Sequence, residues 1–372
     1  MKIINLIFGV FFSFSICAAN VENISDLKKS TESKIDAIFA PMNNGSQPGC
    51  AVGVFDKGGV VYAKGFGLAN LEFEVPITPD TIFDIASTSK QFTATSVLML
   101  NKQGLLSLKD PVRKYIPELP SVTADITIEH LLHHTSGIRD YIRLFWYNKK
   151  SISDLVKKED ILKIIVQEQY VDFKSGQKYE YSNSGYFLLA LIVERVSGIP
   201  FSRFVQQRIF TKLGMDKSAV IEDPRVVIAN RANAYKMKKN NAYYKEQSDW
   251  YSVGDGGVFT SINEIAKWEK NAFHPITEFT EINQQLLKKG QLNNGKQIRY
   301  ARGLKHGRYE GYDTIRHDGW WAGYKTQLLR IPELQVSTAV FCNFESANPV
   351  RYALEIFDVL FADIYQKAEE DS

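Results

Sequence analysis

The pattern of hydrophobic positions divides the chain into strand-rich ends and a helical middle. Near the start, two apolar runs typical of strands, 49–55 and 60–67, flank the polar segment 56–59 with its two glycines, which predicts a hairpin. Near the end, the runs 324–331 and 336–344 show the same strand pattern. Strands at both ends predict one antiparallel sheet assembled from distant parts of the chain.

Helical periodicity dominates between these ends, from about residue 127 to 217. The apolar positions that define two of these helices are Ile161, Ile164 and Ile165, and then Leu188, Leu189, Ile192, Val193 and Val196. Gly198 predicts the end of the second helix. Further helices are predicted at 24–39 and 349–365. We therefore expect an α+β fold, a sheet flanked by helices, with a mostly helical region inserted at about 110–250.

The composition is that of an ordinary globular protein and excludes one class of function. Of the 372 residues, 44% are hydrophobic and 23% are charged, and the formal net charge is only +3. No basic stripe interleaved with aromatic residues runs along the chain, so we expect no nucleic-acid partner. The length suits one large domain or two interleaved ones.

The first 19 residues have the features of a secretory signal peptide. Lys2 supplies a positive start, 3–16 is mostly apolar, and small residues up to Ala19 form a cleavage site. An uncleaved N-terminal anchor is the alternative, although the run is shorter than the roughly 20 residues of a spanning helix. We expect export of residues 20–372 to the periplasm or the medium, with no transmembrane span in the mature chain.

The mature chain keeps two cysteines, Cys50 and Cys342, and both lie in apolar, strand-like runs. Export permits a disulfide bond between them. Because the pairing of cysteines cannot be deduced from sequence alone, we expect two buried free thiols, and the disulfide stays open as the alternative.

The segment 83–110 places Ser87 and Lys90 at the start of a predicted helix. A helix brings residues i and i+3 onto one face, so the two side chains would point the same way near the positive end of the helix dipole. A neutral Lys90 amine would accept the Ser87 proton, provided that burial or a nearby cation lowers the pKa of the lysine. The alternative is a capping serine beside a lysine that extends to solvent.

Two more segments carry polar residues in short patterns. Tyr181 and Asn183 lie two apart in a loop that leads into a strong helix, where a simple capping loop is the alternative. His317, Asp318 and Gly319 open a predicted strand, where an ordinary glycine turn is the alternative. Neither pattern is specific by itself.

In this order, Ser-x-x-Lys, Tyr-x-Asn and His-x-Gly resemble the motifs of the serine β-lactamases and penicillin-binding proteins. The tyrosine of the middle motif is similar to the branch that holds class C β-lactamases, D-alanyl-D-alanine carboxypeptidases and esterases. The segments 131–138, 212–218 and 254–268 resemble further segments of this branch. The resemblance covers about residues 30–360 and implies a β-lactamase/transpeptidase-like fold.

The resemblance implies a role for each residue of the first two motifs. Ser87 would attack an acyl carbonyl and form an acyl-enzyme, while Lys90 and Tyr181 would share the proton transfers. Lys90 would also stabilise the Tyr181 phenolate and lower its pKa from the usual value of about 10. Asn183 would donate a hydrogen bond to the acyl side chain of the substrate and help to fix Lys90.

The late strand would supply oxyanion and substrate contacts. The backbone N–H groups of Ser87 and Trp320 would bind the oxyanion, and Gly319 belongs to the same motif. His317 stands where the family usually has a lysine, and it would contact the substrate or tune the field of the pocket. Asp318 would repel a substrate carboxylate if it faces the pocket, and its direction is open because strand residues alternate sides. This motif favours an esterase or peptide hydrolase over an efficient β-lactamase.

Three histidines, His130, His133 and His134, lie close together, and the first and last would share a helix face. No Glu or Cys lies at a spacing that would complete a ligand set, so we expect no metal site and no cofactor.

The combined interpretation is an exported serine hydrolase that acts on an ester or amide through an acyl-enzyme on Ser87. Its substrate would be a small-molecule or peptide acyl compound, and the resemblance implies D-Ala peptides and β-lactams as candidates. The alternative is a catalytically silent relative that binds cell-wall peptide or a protein partner through the same cleft. The presence of Ser87, Lys90 and Tyr181 argues against that alternative. The oligomeric state cannot be derived from the sequence.

Overall fold

The computed structural model describes residues 27–43, 45–239 and 242–370, with side chains as far as residue 362. The predicted signal peptide, residues 1–19, lies outside the described residues, and so does the beginning of the predicted helix 24–39. Within the described part of the chain, no helix is both long and apolar enough to cross a membrane.

Strands lie at both ends of the described chain and helices fill most of the middle, as the hydrophobic pattern predicts. The strands are β1 (Cys50–Asp56), β2 (Gly59–Phe66), β3 (Leu68–Asn70), β4 (Val75–Pro76), β5 (Phe83–Asp84), β6 (Ala219–Val220), β7 (Tyr235–Met237), β8 (Tyr243–Lys245), β9 (Val258–Thr260), β10 (Lys305–Tyr309), β11 (Tyr312–Trp321), β12 (Tyr324–Ile331) and β13 (Val336–Cys342). The helices are α1 (Lys29–Phe39), α2 (Lys90–Lys102), α3 (Ile128–Leu132), α4 (Tyr141–Tyr147), α5 (Lys158–Val166), α6 (Asn183–Ser197), α7 (Phe201–Val205), α8 (Thr211–Leu213), α9 (Ile262–Phe273), α10 (Thr280–Leu286) and α11 (Pro349–Glu370).

The main sheet has six strands in the order β10-β11-β12-β13-β1-β2, and every neighbouring pair is antiparallel. The first two strands of the chain therefore lie beside its last four, which confirms the prediction of a sheet built from both ends. The predicted hairpin is present, since β1 and β2 pair from Asp56↔Gly59 onwards.

The two cysteines form a disulfide, so the expectation of free thiols is wrong. Cys50 begins β1 and Cys342 ends β13, and the antiparallel register places these two residues directly opposite each other. Sequence alone does not give this register, because it depends on the pairing of strands that are almost 300 residues apart in the chain.

Helices cover both faces of the sheet and bury its two sets of side chains. On one face, α1 and α11 enclose Val52 and Val54 of β1 in an apolar cluster. On the other face, Ala51 and Phe55 belong to a larger core shared with α2, α6 and α9. Since β1 is buried along its whole length, its apolar residues do not alternate with polar ones.

Helix α2 runs through the larger core, and all of its residues from Lys90 to Leu100 are buried. Helix α6 is also largely buried and ends at Gly198, which adopts the left-handed conformation with φ 73° that favours glycine. These two helices pack directly against each other. Their N-terminal ends carry the predicted Ser-x-x-Lys and Tyr-x-Asn motifs, which are thereby brought together.

Candidate active site

Ser87 lies in a tight turn between β5 and α2. The turn, Ala86–Ser89, is a 3₁₀-helix, so Ser87 and Lys90 share a face although only Lys90 belongs to the α-helix. Ala86 has φ 47°, an unfavourable conformation for a residue with a side chain. Its N–H donates to Asp84 Oδ1 at 2.8 Å, which helps to hold the strained turn. The serine is thus fixed by backbone geometry at the entrance of a buried helix.

Lys90 is fully buried and points at the predicted nucleophile. Its Nζ donates to Ser87 Oγ at 2.9 Å, to Asn183 Oδ1 at 2.9 Å and to the backbone carbonyl of Asp255 at 2.6 Å. All three acceptors are uncharged groups. The ammonium therefore has hydrogen-bond partners but no carboxylate in direct contact.

Burial lowers the pKa of Lys90 to about 8, against opposing effects of the Asp255 and Asp140 carboxylates. The Asp255 side chain is itself buried and accepts from the Tyr141 hydroxyl at 2.7 Å and from Ser252 Oγ at 2.7 Å. Because the lysine loses its proton at about pH 8, a substantial fraction is neutral under mildly alkaline conditions. The arrangement therefore supplies an amine base next to a serine hydroxyl.

Tyr181 completes the polar wall around Ser87. Lys90 Nζ lies 4.9 Å from the centroid of the Tyr181 ring. The buried tyrosine hydroxyl approaches Ser87, but the contact falls short of hydrogen-bond geometry. Burial raises the pKa of Tyr181 well above its usual value, and the interaction with Ser87 only partly opposes this rise. The expectation of a lowered Tyr181 pKa is therefore wrong, because the loss of solvent around the hydroxyl dominates.

Asn183 is clamped between Lys90 and an acid that the sequence patterns did not identify. Its Nδ2 donates to Asp140 Oδ2 at 2.9 Å and its backbone N–H donates to the same oxygen at 2.6 Å. The other oxygen of Asp140 caps helix α4 through the N–H groups of Ile142 and Arg143. An Asp before an aromatic helical run is a capping signal, and it could have suggested this residue from the sequence.

His317 is buried under Tyr181 and Tyr300 rather than charged at the surface of the pocket. Its Nδ1 donates to the backbone carbonyl of Asp318 at 2.7 Å, so Nε2 accepts from the Tyr300 hydroxyl at 3.1 Å. Burial, reinforced by the charge of Lys305, lowers the pKa of His317 far below its usual value. The ring is neutral near pH 7, and it does not reproduce the positive charge of the lysine it replaces.

The charge at this end of the site comes from a second lysine, which the motifs did not indicate. Lys305 on β10 donates to Asp318 Oδ1 at 2.6 Å, and its Nζ lies 5.8 Å from the centroid of the Tyr181 ring. Partial burial acts to raise the pKa of Asp318, but the charge and the hydrogen bond of Lys305 outweigh it and hold the pKa below its usual value. Asp318 faces the cleft as an ionised carboxylate, and its charge is matched by Lys305.

Strand β11 presents an open edge to Ser87. Its pairing with β10 ends at Arg316, so the segment 317–321 pairs only with β12 among the described residues. Gly319 lets this edge approach the Ser87 turn, because a Cβ there would lie 2.3 Å from the Ile85 carbonyl oxygen. Backbone groups of the segment are therefore available to a ligand beside Ser87, and Trp320 belongs to that segment.

A cleft of about 640 Å³ opens in front of these residues. Ser87, Tyr181, Asn183 and Asp318 line it, and the indole of Trp320, 58% exposed, forms part of its rim. A narrower pocket of about 100 Å³ continues beside Ser87 beneath Trp321, whose ring centroid lies 5.3 Å from that of Trp250. Trp320 and Trp321 therefore give the cleft and the pocket an aromatic wall.

The three neighbouring histidines have separate structural contacts. His130 lies in the cap of α3, where its backbone N–H donates to the Thr127 hydroxyl. His134 accepts from the Ser182 N–H at 3.2 Å, and its ring centroid lies 4.1 Å from that of Tyr181. Within the described residues, no group of three His, Cys, Asp or Glu side chains is arranged to hold a metal ion.

Comparison with known proteins places these features in a family. The family model described as Beta-lactamase matches residues 35–362. The chain is 27% identical over 351 residues to penicillin-binding protein 4* of Bacillus subtilis, covering 88% of this chain and 75% of that protein. It is 26% identical over 306 residues to a D-aminopeptidase of Gluconobacter oxydans, covering 82% of this chain but only 58% of the relative.

A solved structure shares both fold and sequence features with the chain. The octameric penicillin-binding protein homologue from Pyrococcus abyssi has a TM-score of 0.78 and 27% identity, over 90% of this chain and 77% of that one. The architecture is thus the β-lactamase/transpeptidase-like fold that the ordered motifs imply. The chain belongs to the Beta-lactamase family, within the superfamily of serine β-lactamases and penicillin-binding proteins.

Proposed function

We propose that this chain is a serine hydrolase that cleaves an amide or ester through an acyl-enzyme on Ser87. The observation that carries the proposal is the buried Lys90 amine, 2.9 Å from Ser87 Oγ and with a pKa lowered to about 8. A neutral amine at this distance accepts the serine proton as Oγ attacks the acyl carbonyl carbon. The reaction needs no cofactor.

Tyr181 acts as the acid in the same step. Since its pKa is raised well above the usual value, the hydroxyl keeps its proton throughout the neutral range. Collapse of the tetrahedral intermediate breaks the bond to the leaving group, which takes a proton from Tyr181, and Lys90 returns its proton to the tyrosine. In deacylation the same pair removes a proton from water, which attacks the acyl carbon and releases Ser87.

The oxyanion of each intermediate is bound by the backbone N–H groups of Ser87 and Trp320. The strained turn at Ala86 supports this assignment, and so does the edge of β11, which beyond Arg316 pairs only with β12 among the described residues and lies close to the turn at Gly319. Loss of one such donor typically costs about 3 kcal/mol of transition-state stabilisation. Asn183 orients Lys90, and its amide contacts the acyl side of the substrate.

The preferred substrate lacks a carboxylate next to the scissile bond. His317 is neutral and Lys305 is already paired with Asp318, so neither of them offers an unpaired positive charge there, and Asp318 repels a second carboxylate. The relative named D-aminopeptidase supports an amide of a D-amino acid, with a peptide as leaving group. This substrate class is favoured over β-lactams and over peptides whose last residue is the leaving group.

Export through a signal peptide at residues 1–19 is part of the proposal. The disulfide between Cys50 and Cys342 supports it, because such bonds persist in oxidising compartments outside the cytosol. Intact mass of the protein from a periplasmic fraction tests the cleavage after Ala19. A mass that retains Lys2 and the apolar run would exclude it.

The deciding experiment is intact mass spectrometry with a fluorophosphonate, a fluorescent penicillin and a p-nitrophenyl ester, each beside the Ser87→Ala variant. We expect adducts from the phosphonate and the ester that depend on Ser87, and little or none from the penicillin. An equally rapid penicillin adduct would overturn the substrate preference. Absence of any adduct would favour the catalytically silent binding protein.

A further inference from the structure

A second and larger cavity lies beside the catalytic cleft, along the outer side of strand β10. This groove has a volume of about 1060 Å³ and is lined by parts of β10 and β11 and by the segments 177–179 and 296–300. Tyr179 and Lys305 line both the groove and the catalytic cleft, so the two cavities are neighbours.

The groove is strongly basic although the protein as a whole is nearly neutral. Six lysine and arginine side chains and one histidine line it, and no Asp or Glu of the described residues does so. The formal net charge of the whole chain is only +3, so this concentration of positive charge is local. A cavity lined by one sign of charge raises the local concentration of oppositely charged ligands.

Most of these cations are not neutralised by the protein. Lys305 pairs with Asp318 at 2.6 Å, and Arg308 lies 3.7 Å from Asp313 in an exposed pair. The remaining four make no ion pair with any described residue: Lys178, Lys296, Arg299 and Arg316. A cluster of cations without counter-charges attracts a ligand of opposite charge.

We propose that the groove binds an acidic peptide, and that this peptide is the leaving-group side of the substrate. The placement rests on the proposed function, because it assumes that the scissile bond lies at Ser87. A chain that leaves the cleft past Asp318 and Lys305 enters the groove, where unpaired arginines meet its carboxylates in the two-pronged geometry that guanidinium groups favour.

The lining favours a peptide over a phosphate polymer. The partly exposed apolar side chains Ile298 and Leu354 lie among the cations, where they would contact apolar residues between acidic ones. A chain of phosphates alone offers no matching apolar groups. The inference also fits Asp318, which excludes a carboxylate at the scissile bond but not one several residues further along.

Fluorescence anisotropy of a labelled octapeptide tests the groove without using catalysis. The probe alternates Glu with Leu or Ala, the control peptide has Gln in place of Glu, and the protein is the full chain with Ser87→Ala. We expect the Glu peptide to bind, the Gln peptide to bind at least about tenfold more weakly, and added salt to weaken only the former. Equal binding of both peptides would overturn the proposal, and so would displacement by inorganic polyphosphate at far lower concentrations than by free Glu peptide.

Charge reversal locates the site. Arg299→Glu with Arg316→Glu should weaken binding of the Glu peptide at least about tenfold. The matched control, Lys109→Glu with Lys157→Glu, changes the net charge equally at exposed positions outside the groove and should leave binding within about twofold. Similar losses in both variants would contradict a specific groove. If the Glu pair does not fold, Arg299→Gln with Arg316→Gln replaces it, with the same expected direction.

The failure of the groove and the failure of the proposed function are separable. In the Ser87 background, the Arg299→Glu, Arg316→Glu variant should still form the acyl-enzyme with a small uncharged ester, because such an ester does not reach the groove. Unchanged acylation with unchanged peptide binding would overturn the groove alone. The opposite result is also informative. If peptide binding depends on Arg299 and Arg316 but no ester acylates the protein, the groove proposal holds and the hydrolase proposal is wrong.

Discussion

Two lysines lie near the ring of Tyr181, and their surroundings differ in every respect that matters. Lys90 is fully buried, donates only to uncharged oxygens and has a pKa lowered to about 8. Lys305 is 29% exposed at its side chain and forms an ion pair with Asp318. The first is suited to exchange a proton, whereas the second is suited to hold a charge in place. The residue type is the same in both cases, so the role of each lysine is set by its exposure to solvent and by its hydrogen-bond and ion-pair partners.

The largest effect should separate the two lysines directly. Lys90→Met removes the base and should slow acylation by a p-nitrophenyl ester by about 10³-fold. Lys305→Met leaves the base intact and should slow it less than about tenfold. Single-turnover acylation followed by mass spectrometry measures both. Equal losses would mean that the two lysines act as one electrostatic unit.

A second experiment asks whether Tyr181 works with the buried lysine. Tyr181→Phe keeps the ring packing and removes only the proton donor, so we expect about a 10²-fold loss with an amide substrate. The loss should be much smaller with a p-nitrophenyl ester, because p-nitrophenolate leaves without a proton. The same loss with both substrates would contradict the role of Tyr181 as the acid.

Releasing Lys305 from its partner should change the substrate preference. Asp318→Thr removes the carboxylate and leaves Lys305 free to meet a substrate carboxylate, so acylation by penicillin should rise about tenfold. Asp318→Asn removes the same charge with little change in shape and should give a similar rise. A penicillin rate that stays unchanged in both variants would exclude the ion pair as the cause of discrimination.

The smallest expected effect is a shift in the pH dependence of kcat/KM. Because Lys90 must be neutral to act, kcat/KM for an uncharged ester should rise with pH and level off above about pH 8. The Asp255 carboxylate raises the pKa of Lys90, so Asp255→Asn should move this rise to lower pH. Ser252→Ala, which removes a partner of Asp255 without changing charge, serves as the control. An unchanged pH dependence of kcat/KM in Asp255→Asn would contradict the effect of the Asp255 carboxylate on the pKa of Lys90.

Sequence patterns indicated the fold and the core of the site better than its electrostatics. Ser87, Lys90, Tyr181 and Asn183 were predicted as one site, and the structure brings them together. Each belongs to a short motif at the beginning of a helix, where local spacing constrains direction. Lys305 belongs to no motif, and only the pairing of β10 with β11 brings it near the site.

The remaining differences have the same physical origin. The neutral state of His317 and the raised pKa of Tyr181 follow from burial, which depends on tertiary packing. The direction of Asp318 depends on which face of β11 meets the cleft. These protonation states and side-chain directions depend on contacts between residues far apart in the chain, so composition and periodicity cannot predict them.

The pairing of β1 with β13 has a consequence for biosynthesis. Cys50 and Cys342 are 292 residues apart, which at about 5–20 residues per second separates their synthesis by roughly 15–60 s. During that interval β1, apolar on both sides, has β2 as a neighbour but not the strand that closes its other edge. Nascent chains and prematurely terminated fragments therefore expose an apolar strand edge that favours aggregation until the last strands are made.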